Sequence, residues 1–304
     1  MPESQNIAIV GTGISGLSAA HMLSKQHRVT VFESADTIGG HTATKAVHVN
    51  SGEYHIDTGF IVYNDRTYPN FIKLLKKLGV DGQTTEMGFS VKAEAIDLEY
   101  SGCSVNGLFA KRHSIIDIEH WKMLKDIVRF NRHCTRLYSQ NAIDTQATLG
   151  DFVAQQGYGE RFRNYYLLPM VSAIWSSGEG TSALMPLKFF VDFFHNHGLL
   201  TIFNQPQWYT VKGGSHSYLA PLTAPFADQI HTGRPVTRIR RMGDKVQLLT
   251  PNQLFEFDQV VLACHSDQAL ALLEDPSSKE ADILGAMTYT PNDVVLHTDT
   301  SLLP

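Results

Sequence analysis

Three glycines at fixed offsets, Gly11, Gly13 and Gly16, stand between the apolar run Asn6-Ile7-Ala8-Ile9-Val10 and a helical stretch from Leu17 to Gln26. This spacing suits phosphate binding. One glycine permits a tight turn, the second lets a pyrophosphate approach the backbone, and the third lets helix and strand pack closely. The helix N-terminus offers amide hydrogens and a partial positive charge to an anion. A second strand, Arg28-Val29-Thr30-Val31-Phe32, ends at Glu33, placed to accept two ribose hydroxyls and to disfavour a 2′-phosphate. Strand, glycine turn, helix, strand and acid in succession form a βαβ unit for an adenine dinucleotide.

Two further turns follow. Ile38-Gly39-Gly40-His41-Thr42 comes after the acidic strand; its glycines allow a second backbone approach, and His41 could reach a phosphate, although an ordinary loop has the same composition. Asp57-Thr58-Gly59-Phe60 is another glycine turn behind a β-like stretch, and also reads as plain punctuation. Near Trp208 the first pattern returns: Trp208-Tyr209-Thr210-Val211 runs into Lys212-Gly213-Gly214-Ser215, with a helix from Ser215 towards Phe226. β-type runs at Val236–Ile239, Val246–Thr250 and Leu254–Phe257 precede a buried strand within Asp258–Ala263.

The middle of the chain differs. Thr67–Leu78 has the spacing of an amphipathic helix, and Thr84–Tyr100 alternates like strands of an antiparallel sheet. Helical patterns cover Asp117–Tyr138, Leu149–Gln156, Glu160–Leu168 and Ala183–His195. The organisation is a nucleotide domain, an inserted domain, then the nucleotide domain again.

These motifs resemble the flavin-dependent amine oxidase-like superfamily, and more closely its bacterial branch of NAD/FAD-binding oxidoreductases. The residues that carry the resemblance are Gly11 to Leu17, Glu33, Gly39-Gly40-His41-Thr42, Ile56 to Asn64, Lys212-Gly213-Gly214-Ser215, Val236 to Ile239 and the strand ending Val261-Leu262-Ala263-Cys264. The resemblance implies an α/β fold: a Rossmann-like FAD-binding domain from 1–66 and 206–278, with an inserted α+β substrate domain from 67–205 and 279–304 whose last part is incomplete. It implies FAD with its pyrophosphate at Gly13, Ile14, Ser15 and Gly16, and its adenosine at Glu33, Ser34 and the backbone near Val236. Gly39, Gly40, His41, Thr42, Thr58, Gly59, Phe60, Gly213 and Gly214 complete the implied cofactor site, with the isoalloxazine between the domains.

Three departures qualify the match. His41 stands where many members have arginine, Thr288–Pro304 contains no lysine of the kind amine oxidases place near the flavin, and no Gly-Asp motif for the ribityl chain follows Ala263. A C-terminally truncated member is expected, its chain stopping inside the substrate-domain sheet. No catalytic side chain is assigned, because the flavin carries the chemistry of hydride transfer. The pairs Ile174-Trp175, Phe189-Phe190, Phe193-Phe194 and Trp208-Tyr209, with Leu199 to Phe203, read either as helix core or as walls for an apolar substrate, which the resemblance implies to be a lipid or fatty-acyl chain. The electron acceptor would be oxygen, a quinone or another flavoprotein. Two rivals stand beside this reading. One is a flavin-dependent isomerase like the UDP-galactopyranose mutases, with Arg161 and Arg163 gripping a diphosphate; the other is a non-catalytic nucleotide-binding remnant.

The composition agrees with an enzyme of this kind. The 304 residues allow two domains of about 150 each. Net charge is −5 with no long basic run, which argues against a nucleic-acid surface. Cys103, Cys134 and Cys264 are too scattered for a disulfide framework or zinc site and read as free thiols of a cytoplasmic protein. His195 and His197, two apart, suit a helix C-terminus better than a metal, and Cys264-His265 is a poor nucleophile pair because adjacent strand side chains diverge. No signal peptide and no window of about 18 apolar residues is present, so no transmembrane segment is expected. Peripheral contact with an inner membrane is left open, with no basic amphipathic helix evident from the sequence.

Overall fold

The computed structural model describes residues 3–102, 104–175, 179–201, 205–289, 291 and 293–302. Ile7, Ala8, Ile9 and Val10 are all buried, so the strand Asn6–Val10 must be covered on both faces. It lies inside a four-stranded parallel sheet between Arg28–Phe32 and Gln259–Leu262, with Ile230–His231 beyond Arg28–Phe32. The first two strands thus pair with strands from the far end of the sequence, so the unit they build is discontinuous. Helix Ile14–Leu23 buries Leu17 and Ala20. Ala8, Val10 and Phe32 share an apolar cluster with Ile239, Leu248 and Phe257 of an antiparallel sheet formed by Arg238–Met242, Lys245–Leu249 and Leu254–Phe257.

The chain divides into two compact units. The first comprises Met1–Val62, Asn70–Gln83 and Thr210–Asp293, and the second Tyr63–Pro69, Thr84–Tyr209 and Val294–Pro304. Helix Pro69–Leu78, which the sequence groups with the inserted domain, lies largely in the first unit. Its Phe71 ring meets Phe60 and Tyr218 edge-on at 5.2 and 5.7 Å. Helix Ser278–Ala286 joins the first unit as well.

The second unit is built on the helix Ile118–Ser139, whose Asp117 cap accepts hydrogen bonds from the Glu119 and His120 amides. Its inner face meets Leu149–Gln155, the helical run from Glu160 to Trp175, and Leu187–Asn196, with the hairpin Ser90–Ala93/Leu98–Ser101 beside them. Two boundaries move for local reasons. Pro186 has no amide hydrogen and its fixed φ suits a helix start, so the last helix begins at Leu187 instead of Ala183. The run from Glu160 continues past Leu168 to Trp175 through a π-helical turn at Arg163–Leu167. The expectation that the chain ends inside a sheet is not met: among the described residues after Ala286 there is no strand, only the short helical turn Thr300–Leu302.

Aromatic packing holds this unit together. Phe130, 1% exposed, meets Phe152, Tyr158, Phe162 and Phe190 at centroid distances of 5.3 to 6.0 Å. Phe130→Ala is expected to destabilise the protein by about 3–5 kcal/mol in equilibrium urea unfolding, whereas Met22→Ala, at a 63% exposed position, should stay within about 0.5 kcal/mol.

Candidate functional site

All the sequence-derived cofactor residues fall in the first compact unit. The glycines there do different jobs. A Cβ at Gly11, where φ is +106°, would lie 2.5 Å from the Ala263 carbonyl oxygen, and one at Gly16 only 2.0 Å from that of Gly11. Backbone contact therefore requires glycine at both. A Cβ on Gly13 would meet nothing within 4 Å, and its φ of −63° is open to any residue. The protein itself does not demand glycine at Gly13; the open space in front of it is where the restriction would act. Gly40 backs this space, since its Cβ would sit 3.1 Å from Gly13 Cα.

The helix Ile14–Leu23 opens at Gly13 with no side chain capping it and no acid in its first turn. Ile14 and Ser15 are exposed while Gly16 is buried. An uncapped N-terminus beside an open glycine surface offers unpaired amides and a partial positive charge of the kind that suits an anion.

Glu33 faces the same turn. Its Oε2 accepts hydrogen bonds from the Thr12 amide at 3.0 Å and from the Thr12 hydroxyl, and its Oε1 from the Ala35 amide at 3.0 Å and Ser34 Oγ at 3.2 Å. Burial opposes ionisation here, but the donors from Ala35, Thr12 and Ser34 outweigh it and hold the carboxyl below its ordinary range. Thr12, wholly buried, also receives the Gly39 amide on its hydroxyl at 3.2 Å and on its carbonyl at 3.1 Å. One side chain thus ties the first glycine turn, the acid and the double glycine together. Nothing in the glycine spacing singles out Thr12; its hydroxyl between two motif glycines was the available signal.

The remaining motifs join through three more groups of contacts. The Thr42 hydroxyl bonds the buried Tyr218 hydroxyl. The Phe60 amide donates to the His41 carbonyl at 2.8 Å, where a Cβ on Gly59 would lie 2.3 Å from the same oxygen, and both donors of Thr58 reach the Ala43 carbonyl. Asp57 accepts the Ser215 amide at 2.9 Å, the Ser215 hydroxyl at 2.8 Å and the Thr44 hydroxyl at 2.6 Å, anchoring the segment that starts after the buried Gly214. Gly213 is exposed on the outside of that turn. Val236, 9% exposed, lies in the apolar cluster with Ile239, and its backbone makes no hydrogen bond among the described residues. A backbone amide and carbonyl without protein partners are suited to the edge of a base.

His41 is exposed and its ring stacks on His265 at 5.9 Å, which in turn stacks on Tyr289 at 4.2 Å. His265 precedes the helix Ser266–Leu272 as its cap, and burial pushes the Cys264 thiol up, away from thiolate chemistry. Cys134 is buried with its thiol pushed up to about 12; Cys103 lies outside the described residues. His195 and His197 end a helix as expected, His195 stacked on Tyr138 and His197 bonded to the Phe193 carbonyl. Among the described residues no group of metal-ligating side chains forms a site.

The aromatic pairs divide. Phe190 and Phe194 are core, 0% and 2% exposed, with Ile174, Trp175, Phe193 and Leu199 packed against that core, so the core reading holds for these residues. Phe189 is 50% exposed, and Ile202 and Phe203 lie outside the described residues. Arg161 is engaged by Asp117 at 2.7 Å, which removes it from the arginine grip that a diphosphate isomerase needs.

Comparisons with known proteins bear on the family and the fold. A family model described as flavin containing amine oxidoreductase matches residues 14–304. Amine oxidase [flavin-containing] A of Equus caballus is 37% identical over 78 residues, 25% of this chain and 14% of that protein. Among solved structures, cyclohexylamine oxidase from Brevibacterium oxydans superposes with a TM-score of 0.69 at 19% identity, over 93% of this chain and 63% of that one. Putrescine oxidase bound to putrescine gives 0.66 at 18%, over 93% and 63%. A CLA-producing fatty acid isomerase from P. acnes gives 0.64 at 18%, over 94% and 64%. At such identities the likeness is one of fold, and the chain spans less than two thirds of the length of these relatives.

Two outcomes test the site's construction. In ligand-free thermal and urea unfolding, Gly16→Ala should cost about 3 kcal/mol or more, whereas Gly13→Ala should stay within about 0.5 kcal/mol. A carboxyl with a depressed folded pKa stabilises above the unfolded value of about 4.3 and loses that contribution as pH falls through the folded value. The melting temperature of Glu33→Gln should therefore decline less than the parent's between neutral pH and about pH 3.

Proposed function

Because the chain belongs to the flavin-containing amine oxidoreductase family, we propose that it is an FAD-dependent oxidoreductase whose cofactor is held by Gly11–Gly16, Glu33, the double glycine and Val236. The carrying observation is the open surface at Gly13 in front of an uncapped helix N-terminus, facing an ionised Glu33. The residues fit the dinucleotide in kind as well as in place. Ile14, Ser15 and Gly16 provide first-turn amides for the pyrophosphate. Glu33 accepts from ribose hydroxyls, for which the 3.2 Å bond from Ser34 is the contact most easily exchanged. The unpaired Val236 backbone suits the adenine edge, Gly40 keeps a side chain out of the cradle, Gly59 lets its turn pack on the His41 carbonyl, and Gly213, Gly214, Thr42 and Thr58 hold the surrounding turns. His41 brings an imidazole to the rim in place of the arginine of many members.

When bound, the flavin supplies the site that takes a hydride from a substrate and passes the electrons on to an acceptor such as oxygen. The protein's share is binding, orientation and exclusion of water. The substrate proposed is apolar, of fatty-acyl or lipid type. In support, Phe189 is exposed and Tyr209 only part-buried, and one protein sharing the fold is a fatty acid isomerase. We further propose two functional domains, an FAD-binding domain from 1–66 and 206–278 and a substrate domain from 67–205 and 279–304, with helices Pro69–Leu78 and Ser278–Ala286 of the latter lying largely in the first compact unit.

The test is a cofactor titration of the purified chain, read by flavin absorbance and by the rise in melting temperature. FAD should bind and NAD should not compete. Gly13→Ala, which leaves the ligand-free protein's stability unchanged, should weaken FAD about tenfold or more. Binding of NAD in preference to FAD would overturn the assignment, and equal FAD affinity in Gly13→Ala would move the pyrophosphate elsewhere.

A further inference from the structure

The helix Ile118–Ser139 carries on its outer face a charge pattern opposite in sign to the chain as a whole. Lys122, Lys125, Arg129, Arg132 and Arg136 recur at intervals of three and four, so they share one stripe, and all five are exposed. The protein's net charge is −5, so this stripe is a local concentration and not an average property. Its counter-charges sit at the margins: Glu119 takes Lys122 at 2.7 Å, and Asp126 takes Arg129 at 3.3 Å. Lys125, Arg132 and Arg136 have no carboxylate partner among the described residues. Beside the stripe runs a groove of about 760 Å³, lined by four of these cations with His133 and Tyr158.

The stripe continues at its N-terminal end into apolar surface. Ile118 is 70% exposed, Ile116 84%, Ile115 49% and Trp121 50%. Side chains of this size rarely stand together in water without a partner. They are also held in place: Trp121 donates its indole N–H to the Ile115 carbonyl at 2.8 Å and packs on Phe109, while Asp117 caps the helix and pairs with Arg161. A rigid tip of three isoleucines and a half-exposed tryptophan, next to unpaired lysine and arginine on one helix face, is complementary to one kind of partner. The aliphatic groups enter an acyl layer, the indole lies at the interface, and the cations meet anionic headgroups. A nucleic acid would match the cations and leave the isoleucines in water.

We propose that this face docks the protein on the surface of a bilayer containing anionic phospholipid. The docking requires neither cofactor nor substrate, so it stands or falls apart from the flavin site.

The experiment is sedimentation of the full chain with vesicles of phosphatidylcholine alone or mixed with an equal part of phosphatidylglycerol. The protein should pellet with the mixed vesicles, release as salt rises, and show a blue-shifted tryptophan emission that Trp121→Phe abolishes. Ile116→Glu with Ile118→Glu, and separately Arg132→Glu with Arg136→Glu, should each lower partitioning about tenfold or more at unchanged melting temperature, all four positions being exposed. Should either pair misfold, the salt titration and the emission shift of the unmodified chain still decide the matter. Failure to pellet with mixed vesicles at low salt overturns the proposal. Binding indifferent to both pairs overturns it too, and a dimer in light scattering that both pairs dissolve would assign the face to a second copy of the chain instead.

Discussion

The first unit depends on a contact between backbones. The helix Ile14–Leu23 leaves the strand Asn6–Val10 through a turn so close that Gly16 lies against the Gly11 carbonyl, and Gly11 against that of Ala263. Any side chain at either place would push the helix off the sheet. Because Ala263 follows the strand Gln259–Leu262, the same contact couples the first turn of the chain to a strand that arrives after the whole inserted segment. The uncapped helix N-terminus, the position of Glu33 and the parallel pairing of distant strands all follow from it.

Around that contact, polar side chains do what glycines cannot. Thr12 joins the acid to the double glycine, Thr42 meets Tyr218, and Asp57 gathers three donors from Ser215 and Thr44. The result is a set of loops fixed to one another, while the surface at Gly13 and the Val236 backbone stay unengaged. Loops that satisfy each other and leave one strip of donors open form a preorganised site, which lowers the cost of ordering on binding. The second unit is held differently, by the rings around Phe130, and its long helix serves two environments: an aromatic core inside and a cationic stripe outside.

Much of this was legible in advance. The strands Asn6–Val10, Arg28–Phe32, Trp208–Val211 and Leu254–Phe257 have the limits their apolar runs indicate, because burial on a sheet imposes a strict local pattern. The long helix also emerges from its helical pattern, while its capping by Asp117 is a finding of the structure. Less legible were features decided by partners far away in sequence. Helix Pro69–Leu78 groups with the first unit because Phe71 finds Phe60 and Tyr218. The residues after Ala286 alternate weakly and pair with no strand among those described. The rings of Phe190 and Phe194 look equally suited to a pocket wall or a core until their neighbours are known, and those neighbours make them core.

The sequence by itself determined the nucleotide turn: three glycines, an apolar strand on either side and an acid at the second strand's end are short-range requirements of backbone geometry, written within one stretch of chain. Tertiary structure decided the rest. That Thr12 bridges two motifs, that Asp57 anchors Ser215, and that Val236 keeps its backbone unpaired are all consequences of how separate segments meet, over 21 and 27 residues for Thr12 and 158 for Asp57. The exposed isoleucine tip is of the same kind, since exposure is a property of what fails to arrive, and no local pattern encodes it.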